Sequence, residues 1–135
     1  MRIAVCVKEV LDARLPLQVM QGKMLQASGI PVTVINPADR SALEVALEVK
    51  EANAPSDVTA FGVCGADQEK ALRFALARGA DSAERLEITE QTVGPPLTAL
   101  ALAERFSGGE FRLICCGEQT LDNASAMVGP LIAEL

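Results

Sequence analysis

Two polar stretches, each following a hydrophobic run, hold the residues best suited to grip a ligand. The first is CGEQTLDNASAMVGPLIAEL, residues 116–135. Gly117 would let the backbone come close to a bound group, and Gln119, Asp122, Asn123 and Ser125 supply polar atoms. Ala126, Met127 and Val128 then lead into an apolar helix. A helix start offers unpaired N–H donors and a positive dipole, the chemistry that suits a phosphate. Asn123 and Ser125 would serve equally as plain helix caps, and the local sequence leaves both readings open. The second stretch is Asn36-Pro37-Ala38-Asp39, a polar turn that could present the Asn36 amide and nearby backbone to a base or ribose. It also reads as a turn followed by a helix capped by Asp39, with no further role.

The remaining candidates for chemistry are few. Cys6, Cys64, Cys115 and Cys116 lie at or near the ends of apolar runs and lack the CxxC spacing of a metal or redox site. Free cysteines usually act as small buried hydrophobes, so we expect a reduced, cytoplasmic protein with no metal site. The chain contains no His, Trp or Tyr, which removes the commonest general base. No glycine-rich loop ends in Lys-Ser/Thr, no GxGxxG follows Val7, and no carboxylate pair stands apart from solvated helix faces. Catalytic residues are therefore not expected, and any reaction must belong to a cofactor.

Charge and composition exclude other classes. A net charge of −6, with 12 scattered basic residues, disfavours nucleic acid as a partner. No apolar run approaches the ~20 residues of a membrane helix, so membrane insertion is not expected. The opening MRIAVCVKEV reads as a strand and not a leader, since its apolar run stops at Lys8 and no small-residue cleavage site follows.

The elements that must position these residues alternate. Ile3–Val7 is a β-branched run expected to be a central strand. From Leu15 to Pro31 the pattern is irregular and suggests a small hairpin around Gln21-Gly22 on the sheet's edge. Val32–Ile35 reads as a strand, and a helix stripe of Ala42, Leu43, Ala46, Leu47 and Val49 then runs to about Asn53. Asp57–Val63 is a strand and Cys64-Gly65-Ala66 a turn. A helix follows from Asp67 to Arg78, with Gly79 closing it. Ser82–Ile88 is a further strand, Pro95-Pro96 opens a helix, Phe111–Cys116 is a final strand, and a last helix spans about Asn123 to Leu135. One domain of 135 residues accommodates this order.

Strand–helix alternation predicts an α/β fold: a three-layer α/β/α arrangement around a mostly parallel, doubly wound, Rossmann-like sheet. Ligands in such folds bind beyond the carboxyl ends of the strands. The expected site is thus assembled from the segments after Val7, Ile35, Val63 and Cys116, which include both polar stretches.

The blocks IAVCVKEV, INPADRSALEVALEVKE, VCGADQEKALRFALARGADSA and LICCGEQTLDNASAMVGPLIAEL, in that order, resemble the β subunit of electron-transfer flavoproteins, including the nitrogen-fixation-associated type. The resemblance covers nearly the whole chain and is poorest from Leu15 to Ser28. It implies a non-catalytic electron-carrier subunit paired with an α-type subunit that holds the redox FAD. Acyl-CoA dehydrogenase or another flavin or quinone protein would then be the redox partner. The N-terminal domain of such a β subunit holds AMP or, in electron-bifurcating members, a second FAD. Carried across by position, the pocket would be lined by Cys6, by Asn36, Pro37, Ala38 and Asp39, by Cys64, and by Gly117 to Val128.

The final block departs from the family's usual Gln-Ala-Ile-Asp-Gly-Asp-Thr-Ala-Gln-Val-Gly-Pro. Ala124 stands for an acidic residue, Ser125 for Thr and Met127 for Gln. Ser125 keeps a hydroxyl, whereas Ala124 and Met127 lose polar atoms, which bears on affinity and on the choice between AMP and FAD. The ending Val128-Gly129-Pro130 leans towards the bifurcating and fixation types. Family β subunits continue for about as many residues again, so residues 1–135 are expected to form the nucleotide-binding domain, as an excised unit or a short relative. Two other readings remain: a stand-alone adenine-nucleotide module of the universal-stress kind, disfavoured by the missing glycine-rich loop, and a scaffold that has lost its ligand.

Overall fold

The structure, a computed structural model, describes residues 1–20, 23–26, 32–65, 69–87 and 94–135. Its centre is a four-stranded sheet in the order β7-β6-β1-β8, made of β1 (Arg2–Cys6), β6 (Asp57–Val63), β7 (Ser82–Leu86) and β8 (Leu113–Cys115). Every pairing in it is parallel, with Ile3 opposite both Val58 and Leu113, and Thr59 opposite Ser82. Four further short strands, β2 (Glu9–Leu11), β3 (Leu17–Met20), β4 (Lys23–Gln26) and β5 (Thr33–Ile35), lie outside that sheet.

The side-chain alternation of the central strands decides where the helices pack. On one face Ile3, Val5, Val7, Val58 and Ala60 meet Ala42, Leu43 and Ala46 of α1 (Pro37–Ala52) and Ala71, Leu72 and Ala75 of α2 (Lys70–Arg78). On the other face Ala4, Cys6 and Phe61 meet Ala99, Leu102 and Phe106 of α3 (Pro95–Phe106) and Ile132 of α4 (Val128–Glu134). Alanines at the contact positions of three helices let their backbones approach the sheet, and the larger Ile3, Leu43 and Phe61 fill the space between. Full burial of each large side chain contributes about 1.5–3 kcal/mol. The result is the three-layer α/β/α fold around a parallel central sheet.

Several expected elements shift. Strand β5 does not join the parallel sheet; it pairs antiparallel with β2, Glu9 opposite Ile35 and Leu11 opposite Thr33. Both edges of β1 are already taken by β6 and β8, so β5 does not pair with it and joins the chain beyond Val7 instead. Strands β3 and β4 are antiparallel as expected, but form a sheet of their own and do not extend the central one. The turn at Gln21-Gly22, Ala66, the helix start at Asp67 and the strand end at Ile88 lie outside the described residues.

Helix α1 begins at Pro37, which places Asn36 at the N-cap and Asp39 in the first turn, so Asp39 is not the cap. Proline suits the first helical position because its missing N–H would have had no helical partner. Gly79 closes α2 with φ 122°, a conformation that strains residues bearing a Cβ. Helix α4 starts at Val128 and not near Asn123. Ala124 and Ala126 have φ of 49° and 51°, which no right-handed helix accepts, so Asn123 and Ser125 are not helix caps. No helix among the described residues is long and apolar enough to cross a membrane.

Candidate functional site

A cleft of about 400 Å³ opens at the carboxyl ends of β1, β6 and β8. Parallel strands bring their ends to one edge of the sheet, and the loops that leave them diverge to opposite faces, which leaves a hollow between. Cys6, Val7 and Lys8 enter it from β1, Phe61, Val63 and Cys64 from β6, and residues 116–120 from β8. Helix α3 closes one side with Pro95, Thr98 and Leu102. Phe61 and Leu102 are almost fully buried and give the floor an apolar character. Glu118, Gln119, Thr120, Asn123 and Ser125 make the opposite wall polar.

The polar wall is a loop with little regular structure, and a buried side chain holds it in place. Asn36, 1% exposed, donates from Nδ2 to Asp39 Oδ1 (3.0 Å) and to the Gln119 carbonyl (2.9 Å). Its Oδ1 accepts from the Leu121 N–H (3.2 Å), and its own N–H donates to the Lys8 carbonyl (2.9 Å). Asp39 completes the junction by accepting the Lys8 N–H at 2.8 Å. One amide and one carboxylate therefore tie together the exit of β1, the first turn of α1 and the loop after β8. Every polar atom of Asn36 is engaged, as burial requires.

Gly117 is the second fixed point. A Cβ placed there would lie 2.2 Å from Asp39 Oδ1, 2.7 Å from the Asp39 nitrogen and 2.8 Å from the Ala38 carbonyl carbon. Only a glycine allows the loop to lie directly on the first turn of α1. Further along, Thr120 Oγ1 donates to Asp122 Oδ1 (2.6 Å) and lies 2.9 Å from Asn123 Oδ1, while the Ala124 N–H returns to the Thr120 carbonyl at 2.9 Å. Lys8 Nζ meets Asp122 Oδ2 at 2.5 Å. Both partners are well exposed, so this pair fixes position more than it adds stability.

The electrostatics follow from burial. Desolvation pushes the Asp39 carboxyl up to about 6, against the opposing pull of the Asn36 amide and the Lys8 N–H. Burial also disfavours the charge on Asp122, but the Lys8 ammonium and the Thr120 hydroxyl outweigh it and hold that carboxyl below its usual range. Burial raises the Cys64 and Cys115 thiols. The neighbouring thiols of Cys6 and Cys116 act on each other, which together with burial raises Cys6 and, against burial, lowers Cys116. No group of three or more His, Cys, Asp or Glu able to hold a metal occurs among the described residues.

Of the residues singled out from sequence, Cys6, Asp39, Cys64, Gly117, Gln119, Asn123, Ser125, Ala126, Met127 and Val128 line the cleft. Asn36, Pro37 and Ala38 do not. Asn36 supports the wall from behind, with its amide hydrogen-bonded to Asp39, Gln119 and Leu121. Asp122 faces a neighbouring hollow of about 360 Å³, which it shares with Lys8, Val63 and Cys64. Phe61, Val63, Pro95, Thr98 and Leu102 were not singled out. Phe61 and Val63 sit two apart on β6, so its alternation already assigns them to one face, but α3 reaches the cleft through tertiary packing alone.

Comparison with known proteins adds the lineage. The family model described as the electron transfer flavoprotein domain matches residues 31–135. The β subunit of an electron transfer flavoprotein from Thermoanaerobacterium thermosaccharolyticum is 36% identical over 137 residues, which cover 99% of this chain and 51% of that protein. The β subunit from Megasphaera elsdenii is 37% identical over 143 residues, covering 98% and 52%. A caffeyl-CoA reductase–Etf complex subunit from Acetobacterium woodii is 32% identical over 139 residues, covering 99% and 52%. The chain belongs to the electron transfer flavoprotein domain family, on the β-subunit side. It spans about half the length of the curated relatives it matches.

Two outcomes follow from this geometry. Gly117→Ala forces a methyl against backbone that cannot move aside, so it should destabilise the fold by about 1–3 kcal/mol in urea unfolding; unchanged stability would show that the loop does not rest on α1 as described. Asp39 should titrate with a midpoint near 6 in carboxyl carbon-13 NMR. Because its folded value lies above the unfolded 3.8, its contribution to stability is complete below about pH 4 and is lost as the pH rises through 6. A midpoint in the ordinary carboxylate range would contradict the burial argument.

Proposed function

We propose that this chain is the nucleotide-binding domain of an electron-transfer flavoprotein β-type subunit, and that its cleft takes AMP or the adenylate portion of a second FAD. The observation that carries this reading is the meeting, at one sheet edge, of an apolar floor and a polar loop pinned by Asn36 and Gly117. The floor of Phe61, Val63 and Leu102 suits a flat base. Thr120, Asn123 and Ser125 offer polar atoms to a ribose or phosphate. A cleft of about 400 Å³ lies within the range of small-ligand sites.

In this role the domain performs no bond chemistry. Its residues bind and orient a nucleotide, and the cofactor supplies whatever electron transfer occurs when a flavin is bound. The remaining elements of the proposal come from the family: a heterodimer with an α-type subunit holding the redox FAD, electron exchange with an acyl-CoA dehydrogenase or another flavin or quinone partner, and a cytoplasmic setting. The Acetobacterium woodii relative, named as part of a reductase–Etf complex, supports assembly with partner subunits.

The purified protein should release AMP or FAD in near-stoichiometric amount when denatured, identified in the cleared supernatant by absorbance and mass spectrometry. AMP would indicate a structural nucleotide and FAD a bifurcating role. A supernatant with neither, together with no binding of added AMP or FAD, would overturn the proposal.

A further inference from the structure

Two of the four cysteines are placed for chemistry with each other. Strands β1 and β8 run parallel with Val5 opposite Cys115, and one further step brings Cys6 opposite Cys116. Neighbouring strands lie about 4.7–4.9 Å apart, inside the roughly 4.4–6.8 Å Cα separation that a disulfide spans. Alternation turns both side chains to the same layer, where Cys116 packs against the cluster that contains Cys6. Both also reach the cleft wall, so a small molecule entering the cleft meets them together. Cys64 also lines the cleft, but neither it nor Cys115 stands opposite Cys6 or Cys116 across a strand pair. Cys115 packs in the opposite layer. Cys64 lies three positions beyond Phe61, the residue opposite Cys6 on β6, and also packs towards that opposite layer.

We infer that Cys6 and Cys116 form an oxidisable dithiol in the cleft, which closes to an intradomain disulfide by exchange with a low-molecular-weight disulfide. Cys116 is the entry point, since it is half-buried where Cys6 is buried, and the neighbouring Cys6 thiol favours its thiolate. Its sulfur attacks the small disulfide, forming a mixed disulfide and expelling one thiolate, which takes up a proton. Cys6 then loses its proton to solvent and attacks the Cys116 sulfur, and the second small thiol leaves. The two protein thiols give up two protons and two electrons in all, and the small disulfide becomes two thiols. The bond would join the floor strands of the cleft and alter its lining. Disulfides formed in a reducing compartment are typically transient and redox-sensing, which fits a reversible mark at a binding site. This inference concerns the thiols themselves and does not depend on which nucleotide the cleft takes.

The test is to incubate the folded protein with oxidised glutathione, quench in acid, and map cysteine peptides by mass spectrometry. The expected result is a Cys6–Cys116 linked peptide pair that has lost two hydrogens, with no retained glutathione. In Cys6→Ala the glutathione should instead remain on Cys116, and in Cys116→Ala Cys6 should stay unmodified. Glutathione persisting on Cys116 of the unsubstituted protein, a link through Cys64 or Cys115, or no reaction at any cysteine would each overturn the inference. The map of the unsubstituted protein decides the matter even if a variant fails to fold.

Discussion

The junction built by Asn36 holds the wall of the cleft together. A parallel sheet delivers its loops to one edge, but nothing in sheet geometry prescribes how those loops lie. Here one buried amide joins the Gln119 and Leu121 backbone to Asp39, and Asp39 accepts the Lys8 N–H. Removal of the Asn36 side chain would leave the buried Asp39 carboxyl without its amide partner, at a cost of about 1–3 kcal/mol, and would release the Gln119 carbonyl and the Leu121 N–H. The loop after β8 would also lose its anchor. Gly117 supplies the complementary condition, since the anchor can form only if the loop lies directly against the start of α1.

That arrangement explains why the fold was more legible than the site. The core-facing pattern of β1 and β6 and the stripe of α1 are local periodicities, and burial follows them closely: Ile3, Val5, Leu43 and Val58 are all fully buried. The displacement of β5 was not legible, because it depends on β8 occupying an edge of β1 from far along the chain. The late start of α4 was hidden for a different reason. Ala124 and Ala126 are good helix formers by composition, and their left-handed backbone comes from the tertiary anchoring of the loop.

The site follows the same division. The strand-end rule located the polar loop and the Asn36–Asp39 turn, but not the direction in which the Asn36 amide points. A polar residue after a strand can face a ligand or brace a neighbouring loop, and both uses require the same residue type. Asp39 illustrates the consequence: a carboxylate suited by type to a helix start becomes a buried brace whose ionisation is costly. The contribution of α3 to the cleft was invisible because Thr98 and Leu102 belong to an ordinary amphipathic pattern. Family membership is drawn from sequence along the chain, and the cleft from where distant residues meet.

The most direct test of the central claim, that this cleft is an adenylate site, is to add AMP to nitrogen-15-labelled protein and follow its amide resonances. The account predicts shifts concentrated at Lys8, Cys64 and residues 117–128, with the outer face of α1 unchanged. Shifts clustered away from the carboxyl edge of the sheet, or none at saturating AMP, would contradict it.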